Sequence, residues 1–156
     1  MNPIVQQALH QIKIAMDSSV KLVNMLTEED LDVRPTKEKF SVGELAAHLA
    51  IICEADWYIA NGVTAVEMDR FYKKVNPTTI QEIKQAFLHS YDVLEQGYLS
   101  FSEEVLQQQI TSHWGVTYSR YEWLLEILAH VYHHRGQLHT TMVHILRKDP
   151  RIPLFE

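Results

Sequence analysis

The sequence predicts an all-α protein of the four-helix-bundle class. Four amphipathic segments of about 20–28 residues follow one another along the chain, and their apolar residues recur at the spacing of a helix that buries one face. Each segment begins at a recognisable capping signal, and no segment has the pattern of a convincing strand. At 156 residues the chain is long enough for a real core, so we expect one domain spanning residues 1–156.

The first two helices are defined by their starting residues. Asn2 is a suitable N-cap and Pro3 suits the first helical position, so we expect a helix over residues 3–26. Ser41 is followed three residues later by a glutamate, which is the pattern of a capping box. This box predicts a second helix over residues 42–61.

The last two helices begin in the same way. Thr79 starts a capping box that predicts a helix over residues 80–99. Ser119 starts another, and the helix after it is expected to run to about Arg147, where an Asp-Pro pair follows. These two starts complete the set of four long helices.

Long connectors join these helices. Residues 62–78 contain several apolar side chains and are expected to pack over the bundle, whereas residues 100–118 contain Trp114, which either lines a pocket or plugs the end of the bundle. At about 3.3 Å per residue, a stretch of about 17 residues can cross the full length of a helix. Loop length therefore leaves the up-and-down order of the helices open.

Composition narrows the possible partners. The formal net charge is -6, with 20 acidic and 14 basic residues and no basic run, so we expect no nucleic-acid partner. No apolar run reaches the length of a membrane span, and the N-terminus has no secretory signal pattern. Cys53 is the only cysteine, which excludes an intramolecular disulfide and indicates a reducing compartment. We therefore expect a cytoplasmic protein.

The strongest functional signal is the segment HVYHHRGQ, residues 130–137. His130 and His134 are one helical turn apart, with Cβ atoms roughly 5–6 Å from each other, so both imidazoles can converge on one metal ion. His48, on the second predicted helix, is a third candidate ligand. Three protein ligands with an open fourth position are typical of catalytic zinc sites, although imidazole also suits other metals. From spacing alone, surface or partly buried histidines remain the alternative, and His133 is also a helical neighbour of His130.

Metal-bound imidazoles need acceptors for their second N–H group. Glu44 lies one turn before His48, and Glu126 lies one turn before His130, so either carboxylate is a candidate acceptor. Cys53 follows five residues after His48, about 140° around the helix, and should point elsewhere.

Two motifs carry a resemblance to a known family. One is SVGELAAH, residues 41–48, and the other is HVYHHRGQL, residues 130–138; the order and spacing of the helices extend the similarity over nearly the whole chain. In these features the chain resembles the DinB/YfiT-like metalloenzymes. The resemblance implies a four-helix bundle with up-down-down-up topology, and it implies a homodimer.

The same resemblance implies a metal site and a chemistry. Its ligands would be His48, His130 and His134, the last being the histidine directly before Arg-Gly-Gln, with zinc or nickel as the metal. Relatives include S-transferases and isomerases that use bacillithiol, mycothiol or glutathione, so a low-molecular-weight thiol is the implied co-substrate and a small molecule the substrate. Arg135 is a candidate for binding an acidic thiol cofactor. A structural contact of Arg135, and close helix approach at Gly136, are the alternative explanations of these two residues.

The implied function is a metal-dependent thiol S-transferase of the bacillithiol type. Two alternatives stay open at this point. One is a metal-dependent hydrolase, which would act without added thiol. The other is a non-catalytic, stress-related metal-binding module.

Overall fold

The computed structural model describes residues 2–156, which form seven helices and one two-stranded antiparallel sheet. In chain order these elements are α1 (Pro3–Val23), α2 (Glu28–Leu31), α3 (Val42–Ile59), α4 (Ala65–Lys74), α5 (Ile80–Leu99), α6 (Glu103–Leu106), β1 (Gln109–Thr111), β2 (Thr117–Ser119) and α7 (Arg120–His144).

The four long helices pack side by side. Both α1 and α3 pack against α5 and against α7, so the four helices enclose a common core. Ile12, Leu49, Leu94 and Val131 are fully buried in it, one from each helix. The prediction of a mostly helical protein is confirmed, while the up-down-down-up order stays a prediction. Within residues 2–156, every helix falls short of the length or the hydropathy that crossing a membrane requires.

The capping residues fix where the long helices begin. The side chains of Ser41, Thr79 and Ser119 each accept a hydrogen bond from the backbone N–H three residues later, as the sequence predicts. The predicted ends of α1, α3 and α7 lie two or three residues beyond the observed ends, whereas the predicted end of α5 is confirmed. Leu26 N–H, for example, donates to the carbonyl of Val23, a turn contact rather than a continuation of α1.

Both connectors contain secondary structure beyond the four predicted long helices. The first holds α4, which begins at a further capping box formed by Thr64. The second holds α6 and the hairpin β1–β2, in which Ile110 pairs with Tyr118. The expectation of no strand was therefore wrong. Trp114, near the tip of this hairpin, leaves 54% of its surface exposed and so does not plug the bundle.

Candidate metal centre

Helices α3 and α7 bring the three predicted histidines together. One ring nitrogen of each of His48, His130 and His134 lies within 4.8 Å of the others. The His130 and His134 Nε2 atoms are 3.0 Å apart, and the His48 ring centroid is 4.6 Å from that of His134. The packing of α3 on α7 supplies the third imidazole, which the spacing within α7 alone does not provide.

Two neighbouring side chains set the orientation of the α7 imidazoles. Asp56 Oδ2 lies 2.7 Å from His130 Nδ1, and Gln137 Oε1 lies 2.8 Å from His134 Nδ1. A carboxylate or amide oxygen can only accept here, so both Nδ1 atoms donate. The two Nε2 atoms are therefore the ones that face the centre of the cluster, which is the arrangement that metal-binding histidines use.

The donor set fits a divalent ion. With both Nδ1 atoms protonated, neutral His130 and His134 present Nε2 lone pairs to each other across 3.0 Å, and these repel unless a proton or a cation lies between them. Two nitrogens bound to one zinc at about 2.0–2.1 Å and a tetrahedral angle are roughly 3.3–3.4 Å apart. The observed separation is close to this distance. His48, His130 and His134 can therefore hold a metal ion.

The electrostatics of the three histidines differ. Burial, and then the charges of His134 and His130, lower the pKa of His48 to about 4. Burial also holds the pKa of His134 below its ordinary value. For His130 burial acts in the same direction, but the hydrogen bond to Asp56 and the charges of Asp56 and Glu126 outweigh it and raise the pKa. His48 and His134 are thus neutral at pH 7, as metal ligands must be.

The acceptors predicted from sequence are not the ones the structure uses. Glu44 forms a salt bridge with Arg34 and caps α3, so its carboxylate is engaged away from the histidines. Glu126 adds negative charge near His130, but Asp56 takes the hydrogen bond. Asp56 could have been identified from the sequence, because it lies about two turns after His48 on the same side of α3. The helical spacing from His48 was considered only as far as Cys53.

Cys53 and His133 lie outside the cluster. The Cys53 side chain is fully buried, and burial raises the pKa of its thiol, so it is a packing residue as expected. His133 is exposed on α7 and belongs to the surface beside the site. The structure thus places His134 in the cluster and His133 outside it, while metal binding by these histidines stays a prediction.

Arg135 makes structural contacts. Its guanidinium is buried, donates to Ser18 Oγ at 3.0 Å and to the carbonyl of Leu154, and lies over the ring of Phe155. These contacts attach the C-terminal segment to the bundle and favour the structural alternative; cofactor binding by Arg135 stays a prediction. The close helix approach considered for Gly136 is wrong, because a Cβ there would meet no atom within 4 Å.

A groove of about 700 Å³ opens beside the histidines. It is lined by part of the loop before α3 (residues 35–40), by Leu45 of α3, and by the face of α7 from His134 to Thr141. His134 belongs both to the groove wall and to the metal cluster, and Gln137, which accepts a hydrogen bond from His134, also lines the groove. A small molecule in the groove can therefore reach a metal held by the histidines.

Two solved structures of DinB-like proteins are similar to this chain over nearly its whole length. The crystal structure of a candidate DinB family member from Exiguobacterium sibiricum 255-15 is 34% identical, with a TM-score of 0.84 and 99% of each chain covered. A DinB-like protein from Bacillus subtilis is 16% identical, with a TM-score of 0.71 and coverage of 96% of this chain and 97% of that chain.

An enzyme of known activity shares the fold at lower similarity. The mycothiol-dependent maleylpyruvate isomerase is 14% identical, with a TM-score of 0.65, and the match covers 88% of this chain and 63% of the isomerase. No match was found among curated proteins. A family model of the DinB superfamily matches residues 11–138, a span that includes all three histidines of the cluster. On this match, and on the 34% identity over 99% of both chains, the protein belongs to the DinB superfamily.

Proposed function

We propose that this protein is a divalent-metal-dependent enzyme that transfers a low-molecular-weight thiol of the bacillithiol type to a small electrophile. The observation that carries the proposal is the convergence of three imidazoles at the edge of an open groove. Closed four-ligand sites serve structure, whereas three protein ligands leave a position for a reactant. Zinc or nickel suits three imidazole ligands.

The chemistry follows from the donor set. A divalent metal held by His48, His130 and His134 would lower the pKa of a bound thiol and so would make thiolate available at neutral pH. The protein then needs no nucleophile of its own, which agrees with the burial of its single cysteine, Cys53. Asp56 and Gln137 hold two of the imidazoles in place, and the groove positions the reactants.

The fold comparison supports the thiol part of this proposal. The mycothiol-dependent maleylpyruvate isomerase has the same fold and, by its name, acts with a low-molecular-weight thiol. We propose a dependence on a low-molecular-weight thiol for this chain as well. We also propose that the protein is a homodimer and that it is cytoplasmic. Sedimentation of the purified protein tests the dimer.

The first experiment measures metal content. Protein purified without an affinity tag is analysed by mass spectrometry as wild type, His134→Ala and His133→Ala. We expect about one equivalent of one divalent metal in the wild type, its loss in His134→Ala, and its retention in His133→Ala, because His133 is exposed and outside the cluster. Wild-type protein that contains no metal and does not bind added zinc or nickel would contradict the proposal and favour the non-catalytic alternative.

The second experiment tests the reaction. Metal-loaded protein is incubated with a chromogenic aryl halide and with bacillithiol, mycothiol or glutathione in turn. Thioether formation that needs both metal and thiol supports the proposal. Turnover of ester or amide probes without thiol would instead favour the hydrolase. Absence of conjugation with all three thiols, metal being bound, would contradict the S-transferase.

A further inference from the structure

We propose that the groove binds a ligand with an apolar body and a carboxylate, and that Lys39 pairs with the carboxylate. This inference rests on the proposed function and deepens it, since the ligand would be the electrophilic substrate, with the end opposite its carboxylate beside His134. It assigns a charge and a shape to the substrate class, which the histidine cluster alone leaves open.

The charge of the groove points to an anion. Lys39 is the only lysine, arginine, aspartate or glutamate among the groove-lining residues of the described chain. It belongs to a loop, residues 34–39, with three basic residues and one acidic residue, in a protein of net charge -6. Among the lysine, arginine, aspartate and glutamate side chains, the described groove wall thus carries one cation and no anion, which favours a negatively charged ligand at this place.

The neighbouring cations do not compete with Lys39 for this role. Arg34 donates to both carboxylate oxygens of Glu44 at 2.8 Å, so its charge is already paired. Lys37 lies on the same loop and lines a neighbouring hollow, which shares Lys39 with the groove, but Lys37 does not line the groove itself. A single available lysine matches a singly charged carboxylate better than a phosphate, which commonly uses an arginine fork or several donors.

The loop presents Lys39 from a fixed base. Arg34, held by Glu44, also donates to the carbonyl oxygen of Lys39, and the Lys39 N–H donates to the carbonyl of Thr36 at 3.0 Å. Both contacts use the backbone of Lys39, so the side chain remains available. The ammonium group can therefore be removed by mutation without loss of the loop structure.

The rest of the groove is largely apolar. Phe40 and Leu45 form one wall, and Gly136 on α7 leaves open space where a side chain would otherwise lie. The volume of about 700 Å³ is within the usual range for small-molecule sites. An apolar chain with one terminal carboxylate matches these walls and this charge.

The test uses octanoate and octanol as probes on metal-free protein. These two molecules share an apolar chain and differ in the anionic group, and neither needs a metal. Their dissociation constants are measured by amide-resolved NMR titration, with Gly136 and Thr140 as reporters in the groove wall. Wild type is compared with Lys39→Ala and with the matched control Lys37→Ala, which removes the same charge from the same loop outside the groove.

We expect octanoate to bind wild type more tightly than octanol does. Loss of one solvent-accessible charge pair should raise the octanoate dissociation constant in Lys39→Ala by about three- to tenfold, with little change in Lys37→Ala. Added salt should weaken octanoate binding in wild type more than in Lys39→Ala.

Three results would overturn the inference: no saturable shift at the groove, equal affinities for octanoate and octanol, or equal octanoate affinity in wild type and Lys39→Ala. Selective octanoate binding in a protein that shows no thiol conjugation supports the inference and counts against the proposed function alone. Failure of the carboxylate inference and failure of the proposed function are thus distinguishable.

Discussion

Replacement of Asp56 by alanine tests whether the carboxylate behind His130 controls metal binding. His130 Nδ1 donates to Asp56 Oδ2 at 2.7 Å, and the Asp56 side chain is only 10% exposed. Loss of the partner that orients a metal-bound imidazole costs about 10- to 100-fold in metal affinity. We expect Asp56→Ala to raise the zinc dissociation constant toward the upper end of this range.

We expect a loss of affinity near the upper end of this range because the Asp56 hydrogen bond should be stronger than the corresponding Gln137 hydrogen bond in the same site. The Asp56 contact is charge-assisted and buried, and both conditions strengthen a hydrogen bond. Gln137 makes the matching contact to His134 at 2.8 Å, but it is neutral and exposed. We therefore expect Gln137→Ala to cost about tenfold or less, roughly 1.4 kcal/mol, against about 2.7 kcal/mol for a hundredfold loss in Asp56→Ala.

The pH of the assay matters because protons compete with the metal for His130. The Asp56 charge raises the pKa of His130, so its removal also makes the imidazole easier to deprotonate. Below that pKa this gain offsets part of the lost affinity. The difference between wild type and Asp56→Asn, which keeps an acceptor and loses the charge, should be larger at about pH 8 than at about pH 6, on either side of the ordinary histidine pKa of about 6.5.

Competition with a chromophoric zinc chelator gives these dissociation constants. Thermal unfolding in the presence of EDTA shows whether each metal-free variant is folded. His134→Ala, which removes a ligand, sets the scale for complete loss of the site. Wild-type affinity in a folded Asp56→Ala, in a titration where His134→Ala fails to bind zinc, would refute the reasoning that Asp56 orients His130 for the metal.

Three further predictions concern stability. A Cβ on Gly97 would overlap the ring of Trp57, so Gly97→Ala should lower the free energy of unfolding in urea by about 1–3 kcal/mol; a stable variant would contradict this packing. The pKa of Glu44 is lowered from 4.5 to about 2, mainly by the hydrogen bond from Arg34. The ionised carboxylate therefore stabilises the folded state at neutral pH, and this stabilisation is lost as the pH falls from about 4.5 to about 2. Glu44→Gln should therefore melt below wild type at pH 7 and together with it near pH 2, whereas a difference that persists at pH 2 would exclude the charge as its cause. Arg135→Lys should lower the free energy of unfolding by about 1–3 kcal/mol through lost buried hydrogen bonds and leave octanoate affinity unchanged; weaker octanoate binding would revive a cofactor role for this arginine.

Local signals in the sequence account for most of the helical fold. Capping residues interact with backbone only three positions away, so their pattern places helix starts at Ser41, Thr79 and Ser119 without knowledge of the tertiary structure. Helix ends are less well encoded, because the last turns depend on packing and loosen into turn contacts. The hairpin was missed for a different reason: its strands are three residues each, and only their pairing with each other makes them strands.

The metal cluster likewise has one part that local sequence predicts and one part that depends on tertiary packing. The spacing of His130 and His134 on one helix is a local property, and it predicts their convergence correctly. The convergence of His48 with this pair depends on which face of α3 packs against α7, so helix position alone makes His48 a candidate ligand and the family resemblance adds the expectation that it is one.

The acceptors show most clearly where local reasoning fails. Glu44 was a reasonable candidate for the spare N–H of His48 by helical spacing, yet it is the N3 residue of a capping box and also meets Arg34 from the preceding loop. A carboxylate in the first turn of a helix is already stabilised by backbone donors and by the helix dipole, so it is poorly suited to a second task one turn away. Asp56 lies about four turns after Ser41, where no backbone donor is free, and can bind His130 across the helix interface. A carboxylate outside the capping turn, on the histidine side of the helix, is therefore the better candidate for orienting a metal ligand, and the Asp56 variants test this rule directly.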